Sequence, residues 1–444
     1  MYKAYLKNKS ITLENKYKLY KNKLITILRQ AEKKYYSDKL NKVQGNMHKT
    51  WTVLNEIIGK KRDHKTIEQL EINNKTIVNK QLIADKFNDF FVNIGPSLAD
   101  KIPIGTKTVS NYLSENSNTD SIFLSPTTEV EIRNIIHDLK NTGNSGPRDL
   151  PSKVIKHCDI ELSPILVYLN NESISDGVFP DQLKIARVTP IHKAGDTKCL
   201  TNYRPISVLP IFSKISEKLI NTRLLDFLTK YSILSNSQYG FRPKLSTSMA
   251  LLQLVEDLSR AMDEGDYAVG VFIDLAKAFD TVNHGILLSK LEHYGIRGRP
   301  LEWFKSYLSN RQQYVQIGHH KSNRTKIKCG VPQGSILGPI LFLIYINDLN
   351  NIVNKARTIM FADDTNLFFT GKSALELENT INFELQIVNE WFKTNLLSLN
   401  VSKTSYIIFC HNNKRNININ CKIQDIPITR QYDTKFLGVI LSSD

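Results

Sequence analysis

The sequence predicts an α+β fold, in which short buried strands are interspersed with amphipathic helices, and three observations carry that reading. First, Thr358 through Phe369 sets Asp363 and Asp364 between two apolar runs, each the length of a short buried strand, so the two acids fall at a hairpin tip. Second, Ala268-Val269-Gly270-Val271-Phe272-Ile273-Asp274 is a continuous apolar run ending in an acid, the pattern of a buried central strand that delivers a carboxylate at its end. Third, much of the remaining chain repeats apolar residues at spacings of three and four, the period of helices packed on one face. The adjacent acids imply chemistry as well as topology. Like charges side by side resist joint ionisation unless a cation lies between them. Mg²⁺ takes one or two protein carboxylates and completes its shell with water and substrate phosphates, so an Asp-Asp turn suits a metal held jointly with a nucleotide.

Charge points the same way. The 444 residues are 41% hydrophobic and 23% charged, ordinary values for a chain that folds into more than one core. The net charge is +16, and residues 1–60 supply +10 of it, with 14 Lys or Arg against Glu14, Glu32, Asp38 and Glu56. A bias of that size implies a polyanionic partner, nucleic acid before membrane, because no long apolar helix or lipidation signal accompanies it. The five cysteines contain no C-x-x-C pair, which disfavours a zinc site or a disulfide framework and fits a reducing compartment. The charged start of the chain has no apolar secretory core, so an intracellular protein is expected.

Taken in order, Tyr17, Tyr20, Leu24, Ile27, Leu28, Ala31 and Tyr35 recur at helical spacing among Lys and Arg, which predicts a basic amphipathic helix from Leu13 to Leu40. Trp51, Leu54, Ile57 and Ile58 extend a helical pattern to Gly59. Asn73-Asn74 predicts a small hairpin turn, and Leu82 through Phe91 a helix closed by Gly95-Pro96. Residues 101–126, rich in Ser, Thr and Asn, read as a linker between a basic helical extension, 1–100, and a main domain, 127–444. Thr128-Glu129-Val130-Glu131 has capping-box spacing and opens the next helix. The glycine-rich turn from Lys140 to Pro151 suits either a backbone cradle for phosphate or a plain connector.

Leu162 to Ile174 reads as a helix, Ile185 to Lys193 as a strand, and Asn202 to Leu209 as a turn into apolar structure. Arg187, Lys193 and Arg204 lie within 18 residues. Cations on a hairpin suit a triphosphate, although solvated surface charge gives the same spacing. Beyond Asp274, helices are expected from Ile286 to Tyr294 and Leu301 to Leu308, then half-exposed strands at Gln313–Ile317 and Thr325–Cys329. Gly330 through Pro339 is a glycine- and proline-punctuated loop running into an apolar helix from Ile340 to Leu349. Such a loop admits close approach of a ligand, and its helix N-terminus favours an anion. Leu375 to Leu396 predicts a long helix, and Val401 to Phe409 a loop into a strand.

Together, Tyr203-Arg204-Pro205-Ile206-Ser207, Gln238-Tyr239-Gly240-Phe241-Arg242, Asp274 through His284, Gly330 through Pro339, Phe361 through Thr365 and Leu437-Gly438-Val439 form an ordered set. The set resembles the reverse transcriptase of non-LTR retrotransposons, particularly jockey-like and LINE-type elements. The resemblance covers residues 125–444 in detail, while residues 1–100 are similar to the basic segment that joins an upstream endonuclease to the polymerase. It implies a right-hand polymerase with fingers and palm, the palm an antiparallel sheet backed by helices. It further implies an RNA-directed DNA polymerase in which Asp274, Asp363 and Asp364 are catalytic and hold two Mg²⁺ ions, with Mn²⁺ as a substitute. One metal would activate the primer 3′-hydroxyl, and the other would neutralise charge on the triphosphate and the leaving pyrophosphate.

By position in these motifs, Arg204, Lys193 and Arg187 match cations that hold the incoming triphosphate. Phe279 matches the bulky residue that excludes a ribose 2′-hydroxyl, and Gln333 and Gly334 match the loop against the templating pair and nucleotide. Lys403 stands where a proton donor to the leaving group occurs. The expected partners are an RNA template, a DNA primer and deoxynucleoside triphosphates, with no membrane, in the nucleus, the cytoplasm or both.

Three departures qualify the resemblance. Arg148 precedes Asp149 where the family usually has Gly-Pro-Asp. The chain reaches Asp444 soon after Leu437-Gly438-Val439, without a thumb, and shows neither an endonuclease nor a Cys/His knuckle. A fragment is therefore expected, the alternative being a truncated or decayed copy that binds nucleic acid without polymerising. An RNA-templated RNA polymerase would usually show Gly-Asp-Asp and no bulky gate, and Ala362 and Phe279 argue against it.

Overall fold

The computed structural model describes residues 2–7, 10–59, 67–103, 105, 107–114, 118–140, 150–409 and 418–443. The chain forms two compact units, Met1–Thr66 and Ile67–Asp444. The first contains α1 (Tyr2–Lys7), α2 (Ile11–Asn41) and α3 (Met47–Ile57). The periodicity from Leu13 produces α2, which buries none of its residues and leaves Leu19, Tyr20, Leu24, Ile27 and Leu28 exposed. Asn46 opens α3 by accepting a hydrogen bond from Lys49 N, and the Lys39 ammonium meets the Glu56 carboxylate at 2.7 Å.

In the second unit, β1 (Leu70–Ile72) and β2 (Lys75–Ile77) close through Asn73 and Asn74, both at positive φ, as a two-residue hairpin turn requires. Helix α4 (Lys80–Ala99) starts where the Asn79 side chain accepts from Leu82 N, but runs through Gly95 and Pro96 instead of stopping there. A Cβ at Gly95 would lie 2.2 Å from Asp280 O and 2.6 Å from Cys329 Sγ. The glycine therefore marks close packing of a continuing helix, not its end. The stretch expected to be a linker is also packed. Tyr112, Ile122 and Leu124 are buried in the largest core, and Ile122 N donates to Gly295 O at 2.9 Å. The unit boundary thus falls at Thr66–Ile67, with α4 inside the second unit. Helix α5 (Glu129–Asp138) is capped by the Thr128 hydroxyl, which accepts from Glu131 N. Most of the glycine-rich turn, including Arg148 and Asp149, lies outside the described residues. Helices α6 (Ser152–His157) and α7 (Asp159–Asp176) follow, the latter ending on left-handed Gly177.

Two five-stranded sheets carry the rest. Strands β3 (Ile185–His192) and β4 (Tyr203–Val208) pair antiparallel, with Ile191 opposite Arg204. Helices α8 (Ile211–Lys230) and α9 (Thr247–Asp263) intervene before β5 (Tyr267–Ile273), the one-turn α10 (Ala278–Thr281), α11 (His284–His293) and α12 (Arg299–Leu308). Strands β6 (Gln312–Ile317), β7 (His320–Lys321) and β8 (Thr325–Lys326) complete the first sheet, in the order β4-β3-β6-β7 with β8 also on β6. Phe87 and Phe91 of α4 pack beneath it with Val188, Tyr203 and Val315.

The central sheet forms from β5 and later strands. After the apolar α13 (Leu337–Ile346) come β9 (Arg357–Phe361), β10 (Asp364–Gly371), α14 (Ala374–Thr394) and β11 (Ser405–Phe409). Two small hairpins, β12 (Lys422–Ile423) with β13 (Ile426–Pro427) and β15 (Asp433–Phe436) with β16 (Val439–Ser442), flank β14 (Thr429–Arg430). The order is β14-β11-β5-β10-β9, with β5 antiparallel to both neighbours. One face of β5 packs Val269, Val271 and Ile273 into a core shared with Trp303, Phe342 and Trp391. The other packs Ala268 against Ala250 and Leu254 of α9. Burial on both faces explains why β5 reads as unbroken apolar sequence. Among the described residues, no helix is long and apolar enough to cross a membrane.

Candidate active site

The central sheet delivers the three acids to one edge. Thr365 of β10 pairs with Ile273 of β5, and continuing that antiparallel register by one residue sets Asp364 beside Asp274. Phe361 pairs with Asp364 across β9 and β10, which leaves Ala362 and Asp363 as a two-residue turn with Ala362 at φ 58°. Asp274 is anchored through its backbone: its N–H donates to Thr404 Oγ1 at 3.4 Å and its carbonyl accepts from Asn400 N at 2.9 Å. The Asp364 carboxyl is held above the usual carboxylate range, first by desolvation, then by the charges of Asp363 and Asp274. Lys193 and Arg204 pull it the other way, so both cations face the acids.

Those two cations come from the first sheet. Arg204 is an exposed residue of β4, and Lys193, just past β3, donates its backbone N–H to Asn202 O at 2.9 Å. Lys403 is exposed on the turn before β11, with its N–H on Asn400 O at 3.1 Å. The segment that carries Lys403 thus also holds Asp274. Arg187 sits elsewhere. It pairs with Val208 and Tyr314, six residues along the strand from Lys193, a separation of roughly 20 Å.

A further cation, Lys277, joins this group without having been expected. It has φ 54°, and its ammonium donates to Tyr203 O at 3.0 Å and Thr201 O at 3.4 Å. Burial lowers its pKa, Asp280 opposes that, and Arg204, Lys193 and Lys403 add repulsion. No spacing rule marks a lysine three residues after a strand-end acid, so only the fold reveals it.

Phe279 stacks on buried Phe342 with ring centroids 4.5 Å apart, and Phe241 meets it edge-on at 6.3 Å. Gln333 donates from its side-chain amide nitrogen to Asp280 Oδ1 at 2.8 Å, while its main-chain carbonyl accepts from Ser207 N at 2.7 Å. Gly334, at φ 113°, presses on β4 so closely that a Cβ would lie 2.6 Å from Ser207 O. The loop is thereby joined to both Asp280 and the strand that bears Arg204. The expected anion preference at the start of α13 is already met from within the chain. Fully buried Glu217 accepts from Ile336 N at 2.7 Å and Leu337 N at 3.3 Å, and Ser213 donates to its other oxygen.

The donor set fits divalent metal. Three carboxylates converge on one edge, and two of them raise the pKa of the third, a repulsion that a cation would relieve. Among the described residues no three such side chains enclose an ion by themselves. Mg²⁺ needs no such enclosure, since water and phosphate oxygens complete its shell.

A family model described as reverse transcriptase (RNA-dependent DNA polymerase) matches residues 191–441. The chain is 30% identical over 335 residues to a protein described as a probable RNA-directed DNA polymerase from transposon BS of Drosophila melanogaster, covering 72% of this chain and 36% of that protein. It is 31% identical over 314 residues to the RNA-directed DNA polymerase from mobile element jockey of the same species, covering 68% and 34%. A third relative, described as a probable RNA-directed DNA polymerase from transposon X-element, is 31% identical over 271 residues, 59% of this chain and 29% of that protein. The chain spans about a third of the length of these relatives.

Proposed function

The chain belongs to the reverse transcriptase (RNA-dependent DNA polymerase) family, and from that membership we propose that it bears the nucleotidyl-transfer site of a non-LTR retrotransposon polymerase. The observation that carries the reading is the convergence of Asp274, Asp363 and Asp364 at one sheet edge, faced by Lys193 and Arg204. In this reading the central sheet is the palm and the β3–β4 sheet belongs to the fingers. Asp274, Asp363 and Asp364 would hold two Mg²⁺ ions, or Mn²⁺ in their place, and such ions would supply Lewis-acid stabilisation of developing charge.

The remaining work falls to the chain's own residues. Lys193 and Arg204 bind and orient the triphosphate of a deoxynucleotide, and Lys403, exposed on the turn whose Asn400 and Thr404 hold the Asp274 backbone, is the proton donor to the leaving group. Phe279, held in place by its stack on Phe342, is the residue that excludes a ribose 2′-hydroxyl. Gln333 and Gly334, held against β4, support the templating pair. Arg187, farther along β3, is suited to a more distant phosphate of the nucleic acid. The partners are an RNA template and a DNA primer, and the basic residues 1–60 contact their phosphates.

Primer extension tests the proposal, using poly(rA), oligo(dT), dTTP and Mg²⁺, with Asp363→Ala run beside the parent. Extension by the parent and none by a folded Asp363→Ala is the expected result. Equal extension by both would overturn the assignment.

A further inference from the structure

Ser237 through Arg242 lie outside the acids and the facing cations, yet they grip the turn that carries Asp363. Met360 N donates to Ser237 O and Tyr239 N to Met360 O, both at 2.8 Å, so the segment forms a parallel bridge along the outer edge of β9. Gln238, 2% exposed, turns its amide to the hairpin tip. Its Oε1 accepts from Ala362 N at 3.0 Å and from Gly240 N at 2.8 Å, and its Nε2 donates to Ala362 O at 3.4 Å. Gly240 must be small, since a Cβ there would lie 2.3 Å from Ala362 N. Arg242 closes the loop on itself through Nη1, which donates to Ser235 O at 2.7 Å and Gln238 O at 3.3 Å.

Ala362 depends on such a grip. Its φ of 58° is a left-handed conformation that alanine keeps only when its surroundings fix it, and here one side chain satisfies both its N–H and its C=O. Asp363 follows directly, so the peptide that Gln238 holds sets the direction of its carboxylate. We propose that Gln238 is a positioning residue of the metal site, aiming Asp363 by locking the Ala362 turn, as outer partners of metal ligands do. This rests on the reading of Asp274, Asp363 and Asp364 as metal ligands.

The test is direct Mn²⁺ binding by the full chain, followed by electron paramagnetic resonance of the free ion, with a circular dichroism melt of each variant. Gln238→Met keeps length and volume but removes both the amide donor and the amide acceptor, and Asp363→Ala runs beside it. The expected result is loss of Mn²⁺ binding in Asp363→Ala and weakening by about 10-fold in a folded Gln238→Met. Parent-like affinity in Gln238→Met, with binding lost in Asp363→Ala, would overturn the role of Gln238 and leave the metal site standing. Parent-like affinity in Asp363→Ala would overturn the metal reading and this proposal together. If Gln238→Met does not fold, Gln238→Asn decides in its place, because its amide is one methylene short of the turn: weakened binding supports the role and unchanged binding refutes it.

Discussion

A carboxyl buried as deeply as that of Asp280, with one oxygen on Gln333 and the other without a partner, ionises reluctantly. Burial pushes its pKa up to about 6, against the pull of Gln333 and Lys277. The folded state then binds a proton that the unfolded chain has released. Stability from this group is fully present below the unfolded pKa near 4 and is lost as pH rises through about 6. Asp280→Asn keeps an acceptor for Gln333 and cannot ionise, so it should flatten the pH dependence of urea midpoints between pH 4 and 7. At pH 7 it should gain up to about 3 kcal/mol. An unchanged profile would count against a buried, titrating Asp280. Phe279→Ala removes the ring stacked on Phe342 and should raise UTP relative to dTTP incorporation on poly(rA) by about 10-fold, the scale of one steric contact. At this scale the sequence was informative where chemistry is local. Asp363 and Asp364 between apolar runs, and Asp274 at the end of one, mark themselves. Lys277 and Glu217 do not, and the motif that contains Gln238 does not say what it holds, because each acts through a partner 70 or more residues away that only the fold brings near.

Elements were legible to the extent that their period survives burial. The capped α5, the Asn73–Asn74 hairpin and the β9–β10 hairpin follow from turn and cap residues, which act within four positions. Helix α8 had no such announcement, whereas α9 opens on Ser246, whose hydroxyl accepts from Met249 N. Helix α8 buries residues around much of its circumference, which erases an amphipathic stripe, and it includes the acidic Glu217 in its core face. Gly95 was misleading for a related reason: the same residue type that ends helices also permits close packing, and α4 uses it for the latter. Two element-scale tests follow from this. Ala is normally favoured over Gly inside a helix by about 1 kcal/mol, so Gly95→Ala would stabilise α4 if the helix stood free. Contact with Asp280 O at 2.2 Å predicts the reverse sign, a lowered melting temperature. Glu217→Ala should cost about 3 kcal/mol in urea unfolding, because Ile336 N and Leu337 N lose their buried acceptor, whereas Glu217→Gln, which keeps one, should cost far less.

For the molecule as a whole the governing quantity is the distribution of charge between its two units. Residues 1–60 hold +10 of a net +16, and α2 buries none of its residues, so phosphates of a nucleic acid can reach the lysines along it. The second unit has its own cores, with α4 and residues 109–124 packed inside it, so removal of residues 1–66 should leave it folded. Nucleic-acid affinity falls with salt in proportion to the phosphates neutralised, with a slope of about −0.7 per phosphate for single strands. Residues 1–66 carry a net +12, and if half of that is available, deleting them should reduce the slope of log K against log salt by about 4. The intact chain and the 67–444 chain would be compared by fluorescence anisotropy on labelled poly(rA) across a salt series. The comparison separates two roles for the charge. A smaller slope with a matching fall in affinity assigns the basic unit to phosphate contact. Equal slopes would make it a solvated helix, and leave template binding to the second unit, where Lys193 and Arg204 act on the charge of Asp364.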